Sequence, residues 1–211
     1  MSNAAGTPLW IRLLRLGFGA FGVFALAYGP IKGMDDPAYS VANYFSYFTI
    51  LSNVIGVVVL LVGALRDPGD RRWQVVRGAA TLYLVITGIV YALLLADIDV
   101  QLQEQWLNTY LHRIMPLVLL IDWLLVPAAI TLSARLIGNW LVFPIVYGVY
   151  TLIRGPIVDW YPYPFIDPRE RGYLAMSGGL ALMVVFFVIL ALGVAVANGF
   201  VGKFFREARA S

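Results

Sequence analysis

The chemistry open to this chain is carried by a few polar side chains set in otherwise apolar stretches. Ser46, Thr49 and Asn53 follow spacings of three and four, so they share one helical face. Tyr83, Thr87 and Tyr91 recur at spacings of four, Tyr147, Tyr150, Thr151 and Arg154 share a comparable face, and His112, Arg113 and the deeper Asp122 follow one another in a further stretch. Polar groups so placed must face protein or water rather than hydrocarbon. A threonine hydroxyl is a weak nucleophile until a base takes its proton, and a neutral imidazole, with an unperturbed pKa of about 6.5, does so near neutral pH. Thr49 and His112, the sole histidine, are therefore groups that could do such chemistry if the fold brings them together. Asn53, Tyr150 and Arg154 are candidates to stabilise a developing oxyanion. Arg113 or Arg154 would hold a carboxylate on an amphiphilic substrate by charge-assisted hydrogen bonds.

Each of these residues also has a plainer reading. A threonine in a membrane helix commonly bonds the carbonyl three or four residues back, here Ser46 or Phe45. The histidine would then be an interfacial hydrogen-bonding group, and Arg113 and Arg154 would snorkel to head groups. Asp122 would make a structural bond between helices, since a carboxyl at that depth needs a partner or a proton. The tyrosines would pack in the core with satisfied hydroxyls.

The elements that must position these groups are read from apolar runs of about 20 residues, the length that crosses a hydrocarbon layer as a helix. The sequence predicts an all-α, six-helix transmembrane bundle in one domain, with spans at residues 11–31, 41–65, 75–96, 108–132, 136–157 and 172–200. Asp36–Pro37, the run from Arg66 through Pro68–Gly69, and Tyr161 through Pro164 mark turns between them. Gly17, Gly19 and Gly22, and Gly178 and Gly179, are expected to let helices approach closely. Pro116, Pro127 and Pro144 are expected within spans, where they free backbone carbonyls.

Arg12, Arg15, Arg66, Arg71, Arg72, Arg77, Arg135, Lys203, Arg206 and Arg209, ten of the fifteen basic residues, fall at one set of ends. This places both termini on the cytoplasmic side of the plasma membrane. Asp35, Asp36, Asp97, Asp99, Glu104, Asp159, Asp167 and Glu170 fall on the opposite side, with Trp106, Trp160, Tyr161 and Tyr163 in an aromatic belt. In this topology Thr49 lies about 12 Å and His112 about 6 Å along their helices from the outer side. Arg154 lies near the outer end of its own, so the three are expected to converge on one outward-opening cavity.

Composition narrows the alternatives. The chain has 211 residues, of which 61% are hydrophobic and only 13% charged, against about a quarter charged in soluble domains. Without cysteine, disulfides, thiolate nucleophiles and Cys-ligated metals are excluded, and one histidine argues against haem and zinc sites; no cofactor or metal is expected. The net charge of +3 reflects helix-end residues rather than a nucleic-acid surface.

Three stretches in order carry a family resemblance: Tyr47–Phe48–Thr49–Ile50–Leu51, Asn108–Thr109–Tyr110–Leu111–His112 running on to Asp122, and Trp160–Tyr161–Pro162–Tyr163–Pro164–Phe165. Together they resemble the androgen-induced transmembrane protein family, of which this chain would be a small relative of prokaryotic type. The resemblance implies a multi-pass hydrolase that cleaves fatty acid esters of hydroxy fatty acids with a threonine nucleophile and a histidine, falling on Thr49 and His112. Pro116 stands about one residue closer to the histidine than the family pattern leads one to expect. Two other classes compete: a small-solute transporter or channel built on the same polar stripes and Asp122, and a membrane scaffold, for which the short loops offer little surface. A retinal pump is disfavoured, because Lys32 and Lys203, the only lysines, sit at span ends.

Overall fold

The structure, a computed structural model, describes residues 6–96 and 104–208; Asp97, Asp99 and Arg209 lie outside the described residues. Among those described, every regular element is helical: α1 (Leu9–Gly33), α2 (Val41–Tyr44), α3 (Phe48–Leu65), α4 (Arg71–Val90), α5 (Gln105–Thr109), α6 (Met115–Leu125), α7 (Ala134–Val158) and α8 (Pro168–Ala208). One π-helical turn, Tyr91–Leu95, extends α4, and another, Tyr110–Ile114, joins α5 to α6.

Among the described residues, five helical segments are long and apolar enough to cross a membrane: Leu9–Gly33, Phe48–Leu65, Arg71–Leu95, Ala134–Val158 and Gly172–Ala208. The run from 105 to 125 is not among them. It carries Asn108, His112, Arg113 and Asp122, and it is divided among α5, a π-helical turn and α6.

Three expectations need correction. The stretch 41–65 is not one helix: α2 ends at Tyr44 and α3 begins at Phe48. The helix expected to reach 132 stops at Leu125, because Val126 precedes Pro127 and takes φ −122°, ψ 73°, as residues before proline avoid the helical region. Pro127 thus ends a helix instead of bending one, whereas Pro116 lies as expected inside a continuous helical run, directly after the π-helical turn Tyr110–Ile114, where its missing N–H leaves the His112 carbonyl without the usual partner four residues on. The irregular stretch after Leu125 is held by Asn198 of α8, which accepts from the Ala128 N–H (2.8 Å) and donates to its carbonyl (2.9 Å).

Close approach explains part of the glycine pattern. A methyl group at Gly19 would lie 2.8 Å from Leu61 and one at Gly22 2.4 Å from Val57, so both glycines let α1 press on α3. At Gly17, Gly178 and Gly179 an added carbon meets nothing, so these three do not serve helix packing. Gly172, at φ +75°, breaks the first turn of α8 from the rest.

The end of the bundle where α3 finishes is closed by charge. Arg15 donates to Asp122 from Nε (2.6 Å), Arg77 donates to its other oxygen (2.9 Å), and all three are buried. Arg15 also reaches the Gly63 carbonyl and Asp67, and Asp67 accepts from the backbone and hydroxyl of Thr7. Arg15 and Arg77, which mark loop ends in the sequence, are therefore part of the interior. Asp122 is thus engaged by two guanidinium groups.

Candidate functional site

The site lies at the opposite end of α3, about 20 Å from Gly63 at 1.5 Å per residue. Its origin is the break before Phe48. Tyr47 is extended (φ −77°, ψ 132°), so the N–H groups of Phe48 and Thr49 open a new helix and have no acceptor within it. Two tyrosine hydroxyls take them: Tyr147 of α7 accepts from Phe48 (3.1 Å) and Tyr163 accepts from Thr49 (3.3 Å). Tyr147 in turn donates to the Ser46 carbonyl (2.9 Å).

Four other hydroxyls in the bundle follow the plain pattern: Ser46, Thr81, Thr87 and Thr151 each bond the carbonyl four residues back. Thr49 differs, because no complete helical turn precedes it. Its Oγ1 lies 3.1 Å from Nε2 of His112 and 3.5 Å from the Tyr163 hydroxyl, and all three residues are buried. The sequence places Thr49 and His112 63 residues apart, and the fold brings them into hydrogen-bond contact.

The imidazole is held from three directions. Its Nδ1 lies 3.2 Å from the Asn108 carbonyl, which can only accept, so in the neutral ring the proton sits on Nδ1 and the Nε2 lone pair faces Thr49. Tyr91 stacks on the ring at 4.3 Å between centroids and 24° between planes, and its hydroxyl accepts from the Asn108 side chain (2.8 Å). Behind it the backbone approaches Gly88, where an added carbon would lie 3.3 Å from the His112 carbonyl. His112 itself belongs to the π-helical turn, a widening of the helix found often at functional sites. Among the described residues no carboxylate meets the ring; a backbone carbonyl orients it.

The other candidates divide. Asn53, one turn below Thr49, donates to the carbonyls of Thr49 (2.8 Å) and Leu111 (3.1 Å), tying α3 to the segment that carries His112. It positions the pair and does not face an oxyanion through that amide. Arg113 is exposed beside His112, with its guanidinium over the Tyr91 ring at 5.9 Å. Tyr150 bonds Ser46 (2.8 Å). Arg154 donates to Asn43 (2.6 Å) and lies over Trp160 at 5.3 Å. Tyr150 and Arg154 thus brace the rim formed by α2 and the loop after α7, and the expected meeting of Arg154 with Thr49 and His112 does not occur.

Tyr163, read from sequence as part of an aromatic belt, is the residue that reasoning missed; it is buried against Thr49. The loop that carries it is clamped at several points. Trp160 packs on Tyr47, Tyr163 stacks on Phe165 at 5.1 Å, and the Tyr161 ring lies so close to Gly155 that an added carbon there would be 2.1 Å away. Beyond it, hydrogen bonds from Arg169 hold the Asp167 carboxyl below its ordinary range and fix the start of α8. Gly155→Ala is therefore expected to displace Tyr161 and with it Tyr163. A lower melting temperature in a protein that remains monodisperse and helical by circular dichroism checks this, and an unchanged melting temperature would show that the loop tolerates the added carbon.

Two cavities meet the pair. Thr49 lines an apolar cavity of about 240 Å³ together with Phe48, Thr87, Tyr147 and Tyr163. His112 and Arg113 line a groove of about 540 Å³ with Gly88, Tyr91 and Pro116. Compared with known protein families, curated proteins and solved structures, the chain finds no match.

Proposed function

We propose that this protein is a membrane hydrolase of lipid esters in which Thr49 is the nucleophile and His112 the general base and acid. The observation that carries the reading is the 3.1 Å contact between the Thr49 hydroxyl and Nε2 of His112, whose Nδ1 faces the Asn108 carbonyl. The resemblance to the androgen-induced transmembrane family suggests fatty acid esters of hydroxy fatty acids as substrates. In the same reading the run 105–125 is a sixth crossing, both termini are cytoplasmic, and the site opens toward the outer leaflet of the plasma membrane.

The residues support a complete cycle. Thr49 Oγ1 attacks the ester carbonyl as its proton passes to His112 Nε2, and the imidazolium is held by the Asn108 carbonyl. The carbonyl oxygen gains the negative charge. Tyr163 accepts from the Thr49 N–H and so keeps its own proton to donate, which makes its hydroxyl the donor beside the nucleophile. Collapse breaks the ester C–O bond, His112 returns the proton to the leaving alkoxide, and water then hydrolyses the acyl-threonine by the reverse proton path. Arg113, at the mouth of the His112 groove, is placed to pair with a carboxylate on the alcohol portion.

Reaction of the purified protein with a lipophilic fluorophosphonate tests the assignment. The expected adduct is a single phosphonylated Thr49, located by mass spectrometry and prevented by prior incubation with a long-chain ester; ester turnover with no modification of Thr49 would overturn it. Tyr163→Phe keeps the ring and removes the donor. It is expected to lower kcat by about 10²-fold or more with little change in KM, since the loss of one oxyanion donor falls in that range. An unchanged kcat would remove Tyr163 from the mechanism.

A further inference from the structure

The cavity that reaches Thr49 has walls of two kinds. At its inner end lie the buried Phe48, Thr49, Tyr147 and Tyr163, and at its outer end lie Ile145, Val149 and Leu152 of α7 and Val184 of α8, all exposed on the apolar outer surface of the bundle. The space therefore runs from the nucleophile outward between α7 and α8. A cavity of about 150 Å³ already accommodates benzene when its walls are apolar, and this one, at about 240 Å³, is larger and open at one end.

We propose that this passage is the acyl-chain subsite: a long saturated or unsaturated chain lies between α7 and α8 with its carbonyl carbon at Thr49 and its distal end in the surrounding lipid. The proposal rests on the hydrolase reading for the carbonyl's destination, but the chain's seat follows from the cavity alone. An aqueous substrate does not fit it, because a polar chain would lose water along walls that offer few partners. An opening to the side removes any sharp upper limit on chain length, because carbons beyond the cavity mouth stay in hydrocarbon.

Gly148 sits on this passage, and it has no neighbour to displace: a carbon added there meets nothing within 4 Å. Gly148 is thus a specificity-determining position. Gly148→Ala leaves the passage open and favours the helix, whereas Gly148→Trp fills it without pressing on the packed interior.

Two measurements separate the parts of the claim. In the first, the protein in detergent or proteoliposomes is irradiated with a diazirine-bearing palmitic acid, and the crosslinked peptides are mapped. The expected labels fall on α7 and α8 residues lining the passage, compete with unlabelled palmitate, persist in Gly148→Ala and vanish in Gly148→Trp. In the second, palmitoyl and butyryl esters are compared. Gly148→Trp is expected to lower turnover of the palmitoyl ester by at least about tenfold relative to the butyryl ester, on the scale by which apolar pockets discriminate. Ester turnover with labels elsewhere and an unchanged chain-length profile would overturn the subsite. Competed labelling in the passage without turnover of any ester would leave the subsite standing and overturn the hydrolase reading.

Discussion

Thr49→Ala is expected to abolish turnover of a long-chain ester, a loss of at least about 10³-fold, while the protein keeps its helicity and elution volume. The substitution removes the oxygen that attacks in the proposed mechanism and leaves the backbone N–H that begins α3 bonded to Tyr163, so the helix start survives. His112→Ala is expected to cost a similar factor, because a general base contributes about 10²–10⁴-fold and the hydroxyl is inert without one. The two losses should not add: once the base is gone the nucleophile has no further role, and the double variant should match the worse single one. His112→Gln can keep a hydrogen bond to Thr49 but cannot take a proton, so it should hold the geometry without activity. Full turnover in any of these variants would remove the pair from the chemistry.

Asp122→Ala is expected to have the largest effect on stability and none that is specific to the reaction. It leaves Arg15 and Arg77, both buried, without their shared carboxylate. Breaking a buried ion pair from one side costs about 3–5 kcal/mol, and here two cations also repel each other. Asp122→Asn preserves the shape but not the charge and should fall on the same side. The triple variant Arg15→Met, Arg77→Met, Asp122→Leu should recover much of the loss, because apolar replacement of a whole buried ionic group is often neutral. Thermal unfolding in detergent, followed by intrinsic fluorescence of the buried Trp123 and Trp140, distinguishes these cases. An Asp122→Ala protein as stable as the parent would show that the cluster is solvated after all.

Much of the architecture was legible because hydrophobic length is a strong signal: the runs at 11–31, 75–96, 136–157 and 172–200 correspond to long helices in the structure. The break at residues 45–47 was not legible, since Phe45–Ser46–Tyr47 contains neither glycine nor proline. Its cause is tertiary, in the tyrosine hydroxyls that receive the N–H groups of Phe48 and Thr49 and make a second helix start tolerable. That same break separates Thr49 from the threonines that bond their own helix, so the feature least visible in the sequence is the one that frees the hydroxyl. The early end of α6 was visible in principle, as Pro127 follows Val126, but a proline in an apolar run reads equally as a kink.

The site was half legible. Thr49 and His112 stand out as rare polar types in apolar runs, yet only the fold shows that they touch. Tyr163 was hidden by its surroundings: beside Trp160, Tyr161 and two prolines it has the composition of an interface, and nothing local says that one of three aromatic rings turns inward. Its position in the Trp160 to Phe165 motif was the available signal. Arg154 misled for the opposite reason, since spacing put it on the same helical face as Tyr147 while its length carried the guanidinium away to Asn43.

Thr49 and His112 open onto different spaces, the one apolar and the other edged by Arg113. In a hydrolase arranged this way an acyl group filling its own chamber would not stand between the imidazole and solvent. The second half of the cycle could then draw its water from the basic side while the fatty tail stays in place, and the alcohol and the acid would depart by separate doors. Alcohol release that outruns acid release on mixing would show that this back entrance is shut.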